Sequence, residues 1–181
     1  MMVPTSAQSS IVGHRLMLMA LPVHRVEWSV HASGVADISV IADALTWLIG
    51  DEKLVEIENT KSFHGSPMYI LHADAGKKST ARQAFPRVGT HLIERLGSSL
   101  AERIDDENWL HLRLDLDELV CGRVVLADSR GKAEYVKGRV KLEIYPNDKT
   151  EDVATRLLSE ATEIAERKGF PEPAITHVDD E

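Results

Sequence analysis

The chain has 181 residues, the length of one ordinary domain and too short for a multidomain enzyme. Hydrophobic residues make up 43% and charged residues 28% of it, a balance that is typical of soluble globular proteins and excludes disordered and fibrous chains. The formal charge of -8 excludes a protein whose whole surface attracts nucleic acid, so any contacts with phosphate must be local.

A single cysteine, Cys121, limits the redox and metal chemistry of the chain. It allows no internal disulfide and no cysteine-based zinc site, as is typical of proteins in a reducing compartment, so we expect a cytoplasmic protein. No segment approaches the roughly 18 apolar residues of a membrane span. His14 and Arg15 interrupt the apolar run at residues 11–20, so we expect no signal peptide either.

Composition divides the chain into three parts. Residues 1–21 are expected to be a flexible N-terminal extension, and residues 22–169 a single α+β domain. Residues 170–181 carry acidic side chains and no Lys or Arg, and they follow a glycine, Gly169, which typically ends a helix. This composition predicts a flexible acidic tail.

The first half of the domain alternates between two periodicities. Apolar and polar residues alternate over residues 23–32, which predicts a strand. From Asp37 the apolar spacing changes to that of a helix, which Gly50 can end in a left-handed conformation. Two further strands are predicted over residues 54–59 and 68–75, separated by an irregular connection that contains glycine and proline.

A proline interrupts the next helical region. Residues 77–96 have a helical composition, but Pro86 cannot lie inside a helix without removing a hydrogen bond, so we expect a kink or two short helices. Ser99 and Glu102 have the spacing of a capping box that begins a short turn.

The last third of the domain is predicted to contain two strands and a long helix. Strands are expected over residues 109–115 and 134–145, with one helical turn at residues 115–120 and a polar turn at residues 128–132 between them. Thr150 is predicted to cap the final helix. Because strands and helices do not alternate strictly, we predict an α+β fold, with helices packed on one face of a mixed or antiparallel sheet.

Motifs for catalysis, cofactors and metals are missing from the sequence. Residues 76–80 lack the second glycine of a phosphate-binding loop, and the eight histidines include no pair at the helical spacing that zinc sites use. Cys121 has no nucleophile motif around it. We therefore expect a non-enzymatic protein without a cofactor or a bound metal.

The longest predicted strand carries a row of cations. Lys137, Arg139 and Lys141 alternate with apolar residues and project from one face, about 7 Å apart, which is comparable with the phosphate spacing of an extended single strand. This pattern predicts an RNA-binding surface. The alternative is a solvated sheet face on which these cations pair with carboxylates, the candidates being Glu56, Glu58 and Glu143.

The most specific local motif is a turn in which an aromatic residue and a histidine precede glycine, serine and proline, Phe63-His64-Gly65-Ser66-Pro67. Together with residues 24–27 and 31–32 and with residues 110–116 followed by 140–146, it resembles an archaeal family of small proteins described as predicted RNA-binding or exosome-subunit-like. The resemblance spans about residues 22–166. It implies a compact domain similar to a ribosomal large-subunit protein of the L5 type, often a homodimer, with RNA binding and no catalytic residues.

These observations lead to two hypotheses. In the first, the protein is a cytoplasmic RNA-binding accessory protein that acts with exosome components. Lys137, Arg139 and Lys141 then contact phosphates, and Phe63 and His64 stack on or hydrogen-bond to an exposed base. A competing interpretation makes Phe63 and His64 a plug at the end of the core.

In the second hypothesis, the protein is a homodimeric protein–protein interaction module that does not bind RNA. Its contact surface would be exposed apolar side chains such as Trp109 or Tyr135, on strand faces that are otherwise polar.

Overall fold

A computed structural model describes residues 21–127 and 134–173. They form one five-stranded antiparallel sheet with helices packed on one face, which confirms the α+β prediction. The strands are β1 (Val23–Ser33), β2 (Val55–Lys61), β3 (Pro67–Ala75), β4 (Trp109–Asp115) and β5 (Tyr135–Leu142). The helices are α1 (Ile38–Ile49), α2 (Lys78–Ala84), α3 (Thr90–Gly97), α4 (Leu116–Val120) and α5 (Thr150–Lys168). None of the helices in the described ranges is long and apolar enough to cross a membrane.

The strand order in the sheet is β2-β3-β1-β5-β4. The longest strand, β1, lies in the centre and pairs with β3 on one side and with β5 on the other. Trp28 of β1 is thus opposite Ala73 and Gly138. This order brings the predicted basic strand, β5, between the centre of the sheet and β4.

Alternate residues of β1, β3, β4 and β5 build the core. In β1 and β4 the apolar set predicted from the sequence is buried, and the helices contact the same face of the sheet. The buried apolar strand residues are Val23, Val26, Trp28, Val30, Ala32, Leu71, Ala73, Ala75, Leu110, Leu112, Leu114, Val136, Val140 and Leu142. Because side chains alternate along a strand, the residues between these project from the opposite side of the sheet, which we call the open face.

One close contact in the core demands a glycine. The indole ring of Trp28 lies against Gly138 of β5, and a Cβ atom at position 138 would stand 2.3 Å from Trp28 Cζ3. The two residues are directly paired across the sheet. The glycine between Lys137 and Arg139 therefore makes room for the largest side chain of the core, underneath the cation row.

The helix boundaries predicted from local signals are largely confirmed. Asp37 caps α1 by accepting hydrogen bonds from the backbone N–H groups of Ser39 and Val40, and Gly50 follows the helix with a φ of 93°. Around Pro86 the chain forms α2, then a 3-10 turn, then α3, as the proline predicted.

Two predicted caps are wrong, because each side chain has another partner. The 3-10 turn Ala101–Arg103 follows Leu100, and the Ser99 hydroxyl accepts a hydrogen bond from Arg103 Nε at 2.7 Å. Thr150 is the first residue of α5 and donates to Asn108 Oδ1 at 3.0 Å. The polar turn predicted over residues 128–132 lies outside the described residues.

The first residues after α5 contact the domain. Phe170 packs against the core, and Glu172 forms a salt bridge of 3.2 Å with Arg87. Residues 170–173 therefore lie against the 3-10 turn that follows α2. The rest of the predicted acidic tail and the predicted N-terminal extension up to residue 20 lie outside the described residues.

A buried carboxylate joins α2 to the end of β5. Glu143 is 4% exposed and accepts hydrogen bonds from Lys78 Nζ at 2.5 Å, from Arg82 Nη2 at 3.1 Å and from the hydroxyl of Tyr145. Burial alone would raise the pKa of Glu143, but these donors outweigh it and hold the pKa at about 2. Glu143 therefore stabilises the helix side of the molecule and is not a partner of the cation row.

Candidate nucleic-acid interface

The open face carries the half of each strand that points away from the helices, and none of its side chains is buried. Its residues on the strands β2, β3, β1, β5 and β4 are, in that order, Glu56, Glu58, Thr60, Met68, Ile70, His72, Asp74, Arg25, Glu27, Ser29, His31, Ser33, Tyr135, Lys137, Arg139, Lys141, Trp109, His111, Arg113 and Asp115. The face is therefore a broad surface on which cross-strand neighbours determine the local charge.

The predicted cation row lies on this face. Lys137, Arg139 and Lys141 project from β5 and are exposed or half-buried. The strand register adds further nitrogen-bearing side chains beside them, since Arg113 is opposite Lys137 and His111 is opposite Arg139. The three cations predicted from the sequence are thus one part of a wider basic surface on β4 and β5.

Carboxylates neutralise the centre of the face. Arg139 Nε donates to Glu27 Oε2 at 2.8 Å, and Glu27 Oε1 also forms a salt bridge with Arg25, 2.8 Å from its Nε. Arg25 donates in addition to both oxygens of Asp74, and this hydrogen bonding raises its pKa. Arg139 is therefore paired, as the alternative interpretation required, but its partner is Glu27 and not one of the three carboxylates predicted.

The two lysines of the row differ from Arg139. Lys137 is exposed and has no salt-bridge partner among residues 21–127 and 134–173. The ammonium group of Lys141 donates to the backbone carbonyl of Glu107. Within residues 21–127 and 134–173, no carboxylate forms a salt bridge with Lys141. The net positive charge of the row therefore comes from its two ends.

Two aromatic rings flank the cations, although the sequence pattern assigned them to a protein-contact surface and not to this site. The ring of Trp109 has Arg139 Cζ at 4.6 Å and Lys141 Nζ at 5.3 Å from its centroid. The ring of Tyr135 has Arg113 Cζ at 4.7 Å. Contacts of this kind are cation–π interactions, so Trp109 and Tyr135 belong to the basic surface and do not form a separate apolar patch.

A loop carboxylate orders the start of β4. Asp105 accepts hydrogen bonds from His111 Nε2 at 2.6 Å and from the backbone N–H of Trp109 at 2.9 Å. These donors, with His111 the largest contribution, hold the pKa of Asp105 below its usual value. The loop thereby places Trp109 and His111 next to Lys141 and Arg139.

A groove of about 630 Å³ opens at the middle of the face. Its floor includes Ser29, which stands between His72 and Lys137 in the strand register and has a short side chain. Lys53 and Glu56 line the rim toward β2. The charged lining from β5 is cationic only, with Lys137 and Arg139, whereas the lining from the other side mixes carboxylates with Arg25 and Lys53.

Phe63 and His64 lie apart from this surface, in the turn between β2 and β3. Phe63 is 99% exposed, and its ring contacts that of His64 edge-on, with 5.3 Å between the centroids. The interpretation of the pair as a plug of the core is therefore wrong. Since the turn lies beyond the pair Lys61–Pro67, and β1 separates β3 from β5, the structure does not bring Phe63 and His64 next to Lys137.

Metal-binding geometry is missing from the described part of the chain. No group of three or more His, Cys, Asp or Glu side chains in residues 21–127 and 134–173 is arranged to hold a metal ion. Cys121 is an exposed free thiol.

Solved structures of archaeal proteins share the fold. A DUF54 protein from Archaeglobus fulgidus superposes with a TM-score of 0.62 at 23% identity, covering 76% of this chain and 99% of its own. A DUF54 protein from Methanothermobacter thermautotrophicus gives 0.58 at 22% identity, covering 77% and 98%. A third, from Sulfolobus solfataricus, gives 0.55 at 16% identity, covering 75% and 97%.

Comparison by sequence gives the family. No curated protein matches the chain. A family model described as RNA binding matches residues 25–144, which include four strands whole and all but the first two residues of β1. The chain therefore belongs to this RNA-binding family.

Proposed function

We propose that this protein binds RNA on the open face of its sheet, with Lys137, Arg139 and Lys141 as phosphate contacts. The observation that carries the proposal is the basic surface of β4 and β5, where cations spaced about 7 Å apart stand among aromatic rings on the side opposite the helices. Membership of the RNA-binding family supports it.

The three cations do not contribute equally. Lys137 and Lys141 can contact phosphate without first losing a carboxylate partner, because neither is paired with one in the described ranges. Arg139 shares Glu27 with Arg25, so a phosphate must compete with that carboxylate. We therefore assign the larger electrostatic contribution to the lysines, consistent with a protein of net negative charge that binds RNA only locally.

Phe63 and His64 are proposed as a second, separate contact. A nearly fully exposed aromatic ring can stack on an unpaired base. Since the turn is distant from the cation row, Phe63→Ala is expected to weaken binding without changing its salt dependence.

The cellular role follows from the resemblance to the archaeal family. We propose a non-enzymatic, cytoplasmic accessory protein that assembles as a homodimer and acts with exosome components. Co-purification of exosome subunits with the tagged protein, compared before and after ribonuclease treatment, tests the association. Sedimentation with and without RNA tests the dimer, and a dimer that ignores RNA would support the interaction-module alternative.

The central experiment reverses the charge of the row. Lys137, Arg139 and Lys141 are changed to Glu, and retention of total RNA is measured at about 100 mM salt. The matched control is Arg167→Glu, since Arg167 is an exposed cation near the end of α5, on the helix side. We expect the triple variant to lose binding and the control to keep it. Equal binding by the wild type and the triple variant would refute the proposed surface.

A further inference from the structure

We infer that the basic surface of β4 and β5 takes a short tract of single-stranded RNA, about four nucleotides long, and discriminates against duplex RNA. This inference rests on the proposed function. It adds the class of RNA, the alignment of the RNA along β5 and the two aromatic rings that hold its bases. It follows from the spacing of the rings, from the charge pattern around them and from the width and base stacking of an RNA duplex.

The two rings stand at opposite ends of the cation row. Trp109 is directly opposite Lys141, and Tyr135 lies six residues before Lys141 on the same strand, β5. At the rise of an antiparallel strand this separates the two backbone positions by roughly 20 Å. Three steps of about 7 Å fit into that distance, so a strand running along β5 can stack its first base on one ring and its fourth on the other.

Each ring is held in place by a cation that lies over it. The guanidinium of Arg113 lies over Tyr135, which remains 43% exposed. Arg139 and Lys141 lie over the ring of Trp109, and the backbone N–H of Trp109 donates a hydrogen bond to Asp105. Preorganised rings with adjacent cations are the combination that binds single strands with little sequence preference, because every base has a flat face.

The charge pattern confines the nucleic acid to this strip. Glu27 lies on β1, directly beside β5, whereas Asp74 and Glu56 lie farther from β5, on β3 and β2, and line the groove. A single strand aligned with β5 meets Glu27 at Arg139 but stays clear of Asp74 and Glu56. A duplex is wider, so its second phosphate backbone would lie over them, and its bases are stacked inside and unavailable to Trp109 and Tyr135.

Fluorescence anisotropy with two labelled probes tests the inference. The probes are a uridine single strand of about 12 nucleotides and an RNA duplex of the same length, both titrated with the full-length protein. We expect the single strand to bind on the order of 10-fold more tightly. Tyr135→Ala is expected to lower single-strand affinity on the order of 10-fold, whereas Tyr135→Phe, which keeps the ring, retains it.

A second variant separates stacking from charge. Lys137→Gln is expected to reduce the salt dependence of binding by about one phosphate contact, while Tyr135→Ala leaves that dependence unchanged. Trp109→Ala is scored only together with a thermal melt, since Trp109 is half-buried.

The outcomes distinguish the two proposals. Equal or tighter binding of the duplex, or unchanged single-strand affinity in Tyr135→Ala, would overturn the inference and leave RNA binding by the basic surface standing. Failure of the wild type to bind either probe would overturn the proposed function and the inference with it.

Discussion

The pKa of the buried Glu143 carboxylate predicts how much this side chain contributes to the free energy of unfolding. The donors Lys78, Arg82 and Tyr145 lower the pKa from 4.5 to about 2 against the opposing effect of burial. Each pKa unit corresponds to about 1.4 kcal/mol. The charged form therefore contributes about 3 kcal/mol to the free energy of unfolding near neutral pH.

The direction of the pH dependence follows from linkage. The pKa of Glu143 in the folded protein is below that of the unfolded chain, so the contribution is complete above about pH 4.5 and is lost as the pH falls toward 2. Glu143→Gln removes the titrating group. We expect the variant to be about 3 kcal/mol less stable than the wild type near neutral pH and within about 1 kcal/mol of it near pH 2.5.

Urea unfolding followed by tryptophan fluorescence measures this difference, because Trp28 is buried and reports on the core. The matched control is Glu166→Gln, an exposed residue of α5, which should change neither the stability nor its pH dependence. A stability difference between the wild type and Glu143→Gln that stays constant from neutral to acid pH would refute the reasoning.

Three further predictions concern single side chains. Glu27→Gln removes the carboxylate that neutralises Arg139 and Arg25; RNA affinity should rise about 3- to 10-fold with a steeper salt dependence, and reduced affinity in anisotropy titrations would contradict this. Gly138→Ala forces a Cβ to 2.3 Å from the ring of Trp28, so a loss of about 1–3 kcal/mol is expected in urea unfolding, and wild-type stability would be the opposing result. Glu160 of α5 is buried with one oxygen unpaired, and burial raises its pKa; Glu160→Gln should stabilise the protein near neutral pH and have no effect below about pH 4, and destabilisation at neutral pH would count against this explanation.

Local periodicity was sufficient for most of the secondary structure. The strand β4 and the helix α1 were predicted almost to the residue, because alternation and helical spacing depend on the backbone geometry of neighbouring residues alone. The break at Pro86 was predicted for the same reason. The two wrong caps, Ser99 and Thr150, are short polar side chains for which a partner from elsewhere in the fold competes with the local backbone.

For the candidate site, the two-residue period of β5 is enough to place Lys137, Arg139 and Lys141 on one face of one strand. Their neighbours depend on the folded sheet: Glu27 is 112 residues from Arg139 in sequence, and Trp109 pairs with Lys141. A side chain's direction follows from the two-residue period of its own strand. The neighbours of that side chain depend on strand order and register. These are set by burial of the whole core and cannot be predicted from any one segment of the sequence.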